Sequence, residues 1–89
     1  MLTETITIIN KRGLHARAAA KFATTSAQFG CRTQARVSGS WVDAKSVMSL
    51  MLLAATQGTD LEVCTEGEDE VAAMEAIRTL IQARFEEDE

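Results

Sequence analysis

From Leu2 to Ile9 apolar and polar residues alternate at period two, with Leu2, Ile6 and Ile8 interleaved with Thr3, Thr5 and Thr7; this predicts a strand with one buried face. Asn10 to Leu14, with Lys11, Arg12 and Gly13, reads as a loop. The spacing then becomes helical. Ala16, Ala19, Ala20, Ala23 and Ala27 recur at three and four, with Phe22, Ser26 and Phe29 alongside, so a helix over Ala16 to Gln28, ended by Gly30, should lay a small-residue face on a sheet. Cys31, Thr33, Ala35 and Val37 alternate with Arg32, Gln34, Arg36 and Ser38, and Ser38-Gly39-Ser40 turns the chain into Trp41 to Ala44, a hairpin in which Trp41 is packing. Val47 to Ala55 predicts a second helix with Val47, Leu50, Met51 and Ala54 on one stripe, stopped by Gly58. Thr59 to Thr65 alternates through Leu61 and Val63 as a fourth strand. After Gly67, the acidic Glu68-Asp69-Glu70 suits a helix start. Val71, Met74, Ile77, Leu80 and Ile81 then give an amphipathic helix to about Phe85, followed by a frayed tail, Glu86 to Glu89.

The order strand, helix, strand, strand, helix, strand, helix, with short connections, predicts an α+β fold: an antiparallel sheet with helices on one face. No linker divides the chain and no repeat is present, so residues 1–89 are expected to form one domain. Composition agrees: 46% hydrophobic and 25% charged residues are ordinary for a globular protein, and 89 residues hold a single small core. No apolar run approaches the roughly 18 residues of a membrane span, and Met1-Leu2-Thr3-Glu4 has no signal-peptide layout, so a cytoplasmic location without membrane insertion is expected. Cys31 and Cys64 form no CxxC pair and one histidine completes no zinc set, so neither metal nor cofactor is expected and both cysteines should be buried small hydrophobes.

Charge changes the picture by its placement. The net charge is −4, yet Lys11, Arg12, Arg17 and Lys21 crowd round the only histidine, while Glu66 to Glu70 and Glu86 to Glu89 are acidic. With one Trp, three Phe and no Tyr there are few stacking platforms for nucleic acid, so the basic patch points to an acidic protein or a phosphate group.

His15 falls between a glycine-containing loop and the first residue of a helix. The first N–H groups of a helix lack intrahelical partners and the dipole is positive there, so a phosphate on the imidazole would meet donors and favourable charge. Arg17 can add a planar, multi-donor clamp, Gly13 permits the sharp turn that exposes the ring, and imidazole is nucleophilic near neutral pH. On spacing alone His-x-Arg is common, and an incidental exposed histidine with a solvated helix face is the favoured reading.

Gly13-Leu14-His15-Ala16-Arg17 followed by an Ala-rich helix resembles the active-site signature of the histidine phosphocarrier (HPr) family. Lys45-Ser46-Val47-Met48 resembles that family's second signature, around a regulatory serine, and Gln57-Gly58-Thr59 and Glu66-Gly67-Glu68-Asp69-Glu70 resemble the segments flanking its last strand. The similarity runs from about Thr3 to Phe85. It implies an open-faced sandwich of four antiparallel strands covered by three helices, and a stoichiometric phosphocarrier, not an enzyme. His15 would be phosphorylated on Nδ1 by Enzyme I, drawing on phosphoenolpyruvate, and would pass the group to an enzyme IIA protein, with Arg17 stabilising the phosphate. The family's docking patch maps to Ala16, Lys21, Val47, Met48 and Met51, and the chain is expected to act as a monomer.

Ser46 opens the second helix, where serine is a favoured N-cap; by resemblance it is also a substrate of the HPr kinase/phosphorylase. For a modified Ser46 to be felt at His15, the first two helices should bring their N-terminal regions to one face. Ala18 stands where most members have proline, Arg12 where many have a small polar residue, and Ala54 where glycine is frequent. Two alternatives stay open: the nitrogen-related branch, whose output is regulation instead of sugar uptake, and a small α+β regulatory or ligand-binding module in which His15 is incidental.

Overall fold

The structure, a computed structural model, describes residues 1–88. The elements run β1 (Leu2–Thr7), α1 (Ala16–Ala27), β2 (Arg32–Arg36), β3 (Val42–Asp43), α2 (Val47–Leu52), β4 (Asp60–Glu66) and α3 (Glu70–Gln82), followed by a single turn over Arg84–Glu86. The strands form one antiparallel sheet in the order β1-β4-β2-β3, so the last strand is inserted between the first two. Three helices cover one face, the open-faced sandwich that the sequence predicts.

Register explains the faces. Ile6 pairs with Leu61 and Ala35 with Val63, and these four meet Ile8, Phe22, Leu50, Met74, Ile77 and Ile81 in the core. Glu4 shares the helix-facing side with its partner Val63, and Arg78 of α3 answers it with two hydrogen bonds of 2.9 and 2.7 Å. That bidentate pair holds the Glu4 carboxyl below its ordinary range. On the open face Thr7 donates to Asp60 at 2.8 Å, Arg36 bonds Glu62, and the Arg36 guanidinium lies 4.3 Å from the Trp41 ring, a cation–π contact that fixes the hairpin packing. Both cysteines are buried and free.

The helices differ from the predicted stripes in rotation and length. In α1 the buried residues are Ala18, Ala19, Phe22, Ala23 and Ser26, whereas Ala16 and Ala27 are exposed. Phe22 is the largest residue on the helix and is fully buried, so its burial sets the rotation. α2 stops after six residues and leaves Met51 and Ala54 in solvent, because the chain leaves the helix at Leu53 and Ala54 adopts φ +53°. α3 ends at Gln82, and Phe85 returns to the core through a separate turn. Asp69 precedes α3, but its carboxylate accepts the Gly30 and Cys31 N–H groups at 2.9 Å each, tying the end of the α1–β2 connection to α3. These bonds, with Gly30 first, hold the Asp69 carboxyl below its usual value.

Ala54 occupies the left-handed position just past a helix end, where glycine is normally selected because it has no Cβ. Ala54→Gly should therefore raise stability by about 1 kcal/mol. In a domain of this size that is a Tm increase of about 4–8 °C in a thermal melt. A lowered Tm would show that the Ala54 conformation carries no strain.

Candidate functional site

His15 is the N-cap of α1, with extended backbone (φ −78°, ψ 179°) that brings the loop into the helix. Its carbonyl accepts the Ala19 N–H at 2.8 Å, the first intrahelical bond, so the N–H groups of Ala16, Arg17 and Ala18 have no acceptor within the helix. Among the described residues no side-chain cap bond closes this end, and the first turn contains no acidic residue. A twelve-residue helix thus presents its positive end without the oxygen that usually satisfies it. Ala18 keeps an N–H that a proline in the first turn would lack, so it adds one orphan donor.

The loop before His15 is held from two sides. Gly13 has φ +67°, its N–H donates to the Asn10 carbonyl at 3.2 Å, and Leu14 N–H donates to the Ala55 carbonyl at 2.8 Å, fixing the loop to the segment after α2. Asn10 is fully buried and uses Nδ2 twice, to the Gly13 carbonyl at 2.8 Å and to Glu87 Oε1 at 3.0 Å. The other Glu87 oxygen, Oε2, meets His15 Nε2. Burial raises the Glu87 carboxyl, but the hydrogen bonds from Asn10 and His15 outweigh it and hold the group below its ordinary range.

Beside this ring lies an open cleft of about 380 Å³ lined by Arg12, Arg17, Lys21, Glu86, Glu87 and Asp88. Arg17 is exposed, and among the described residues no hydrogen bond ties down its guanidinium. It can therefore turn toward an anion at the start of α1. Lys21 is committed instead, donating to the Phe85 carbonyl at 2.9 Å and lying 3.3 Å from Glu86.

The terminal segment corrects the frayed tail expected from the sequence. Phe85 is fully buried, and Glu86, Glu87 and Asp88 line the cleft; Glu89 lies outside the described residues. Asn10 and Glu87 were missing from the sequence-derived site. Asn10 reads as a turn residue, and only the opposition of an acidic tail to a basic cluster hinted at Glu87.

A family model described as "PTS HPr component phosphorylation site" matches residues 2–83. The chain belongs to the HPr family. It is 52% identical to the phosphocarrier protein HPr of Pseudomonas aeruginosa over 94% of each chain, and 49% identical to that of Xylella fastidiosa over 99% of each. The crystal structure of HPr-C-His from Thermoanaerobacter tengcongensis superposes with a TM-score of 0.95 at 39% identity, covering the whole of both chains. HPr is a phosphocarrier of the phosphotransferase system and not a catalytic enzyme. Among the described residues no helix is long and apolar enough to cross a membrane.

The other sequence-derived positions of this HPr-family chain separate into groups. Ser46 is the N-cap of α2, its Oγ accepting the Ser49 N–H at 3.3 Å. Its neighbour Lys45 donates to the Phe29 carbonyl at 2.9 Å, beyond the C-terminal end of α1, while the segment after α2 bonds Leu14 at the N-terminal end. The helices therefore run in opposite senses. The expectation that their N-terminal regions share a face is overturned: Ser46 and His15 lie toward opposite ends of α1, about 18 Å long. Ala16 is exposed beside His15, Val47 is partly buried against the core, and Met48 and Met51 are 69% and 39% exposed. Leu52, which the stripe argument passed over, is 80% exposed and extends the same apolar surface.

Proposed function

We propose that this protein accepts a phosphoryl group on His15 from phosphorylated Enzyme I and passes it to a histidine of an enzyme IIA protein, in the cytoplasm and as a monomer. The observation that carries this reading is the start of α1: a histidine N-cap and, among the described residues, a positive helix end with no capping oxygen and an Arg17 guanidinium with no hydrogen-bond partner. A phosphate on His15 supplies the acceptors that this helix end lacks. The exposed Met48, Met51 and Leu52 form an adaptable apolar surface on α2, suited to more than one partner. The outlet is sugar uptake or regulation. Incubation with Enzyme I and labelled phosphoenolpyruvate tests the reading: the label should be acid-labile and base-stable, and an unlabelled protein would refute it.

Arg17→Ala should still accept phosphate, because the backbone donors remain, but should pass it on about tenfold more slowly, the worth of one charge-assisted hydrogen bond. Equal rates for mutant and wild type in both half-reactions would remove Arg17 from the mechanism.

Ser46 is read as the site of a regulatory kinase, the HPr kinase/phosphorylase. Since it lies away from His15, a phosphate there acts on the docked partner by charge repulsion and not on the imidazole. Ser46→Asp keeps an N-cap and should slow transfer from Enzyme I about threefold to fivefold, with an unchanged circular dichroism spectrum. Wild-type transfer by both this variant and genuinely phosphorylated protein would leave Ser46 as a cap alone.

A further inference from the structure

Glu87 lies 72 residues after His15 and outside both signatures, yet its carboxylate is held at two points, by Asn10 Nδ2 and His15 Nε2. The chain reaches this position through an unfavourable backbone. Arg84, Phe85 and Glu86 have φ of 57°, 54° and 65°, a left-handed run that L residues rarely adopt because Cβ crowds the following carbonyl oxygen. The run persists because Phe85 is fully buried and Lys21 holds the Phe85 carbonyl at 2.9 Å. Asn10 is anchored in turn on the Gly13 carbonyl, so the carboxylate and the ring share one braced loop.

We propose that Glu87 is the positioning residue of His15: it accepts the hydrogen bond of the Nε2 proton, fixing the tautomer in which Nδ1 is unprotonated and free to attack phosphorus. This deepens the phosphocarrier reading and rests on it. In the transfer the bond from Nδ1 to phosphorus forms as the bond from phosphorus to the donor histidine nitrogen breaks. The donor nitrogen recovers its electron pair, the Nε2 proton stays on the ring, and the positive charge gained by the imidazole lies against the Glu87 carboxylate. Arg12 and Arg17 remain on the cleft side to meet the phosphoryl oxygens, with Glu86 and Asp88 at its rim.

The test uses the full chain labelled with ¹⁵N-histidine, whose single imidazole gives an unambiguous spectrum. At neutral pH the wild type should show Nε2 protonated and Nδ1 unprotonated. In Glu87→Ala the Nδ1-protonated form should grow and transfer from phosphorylated Enzyme I should slow about tenfold, the lower end of the loss expected when a carboxylate orienting a histidine is removed. Glu87→Gln keeps an acceptor oxygen without the charge, so it should retain the wild-type tautomer and lose about threefold in rate. A Glu87→Ala protein with wild-type tautomer and rate overturns the proposal. So does a faster one, which would make the carboxylate a competitor for the phosphoryl site. Failure of the carrier reading is distinguishable, because then the wild type itself takes no label.

Discussion

His15→Ala should accept no phosphate from Enzyme I while remaining folded. The imidazole is the only histidine nitrogen source in the chain, and the neighbouring donors of α1 stabilise a phosphate but cannot bond to phosphorus. The fold should hold. His15 makes no side-chain cap bond and lies outside the core cluster, so truncation loses chiefly the bond to the half-buried Glu87 carboxylate, a cost of about 1–3 kcal/mol. Labelling with phosphoenolpyruvate and Enzyme I, beside a thermal melt, checks both parts. A folded His15→Ala protein that still took up acid-labile label would move the nucleophile elsewhere and end the assignment.

Gly13→Ala should destabilise the protein by about 2–4 kcal/mol, a large share of the 5–15 kcal/mol that holds an ordinary domain folded. Two costs combine. At φ +67° an alanine meets the left-handed penalty of about 1–2 kcal/mol, and a Cβ there would stand 2.5 Å from the Ala55 oxygen and 2.9 Å from Thr56 Cα. Both are backbone atoms, and the same oxygen accepts the Leu14 N–H, so relief by movement breaks the bond that fixes the His15 loop to the end of α2. Transfer should fall with stability. Gly39→Ala is the control, since nothing lies within 4 Å of its Cβ. In urea the midpoint of Gly13→Ala should drop well below that of Gly39→Ala at unchanged slope. Equal midpoints would mean that the loop and the end of α2 separate without cost.

Period-two alternation in Leu2–Ile8 and Leu61–Val63 determined the strands, because a residue one step out of phase would bury threonine and expose isoleucine. Helical spacing determined α1 and α3 for the same reason. Gly13-Leu14-His15-Ala16-Arg17 placed the histidine at a helix start by local rules alone: a loop residue, a cap position and a run of helix formers. Ser46 as a cap was equally local, and the structure puts its Oγ on the Ser49 N–H. Arrangements that depend on two distant segments were not legible. The insertion of β4 between β1 and β2 and the opposed senses of α1 and α2 arise from packing. So does the rotation of α1 about Phe22. Glu4, polar on the core face, was an exception whose answer, Arg78, is 74 residues away. Tertiary structure alone decided the fate of the last residues. A burst of acidic residues after a helix has the local signature of a solvated tail, and nothing in Arg84-Phe85-Glu86 signals three left-handed residues. Burying Phe85, together with the Lys21 bond to its carbonyl and the bonds that Asn10 and His15 make to Glu87, offsets the strain and swings Glu87 onto His15, a balance struck only once the core that receives the ring exists.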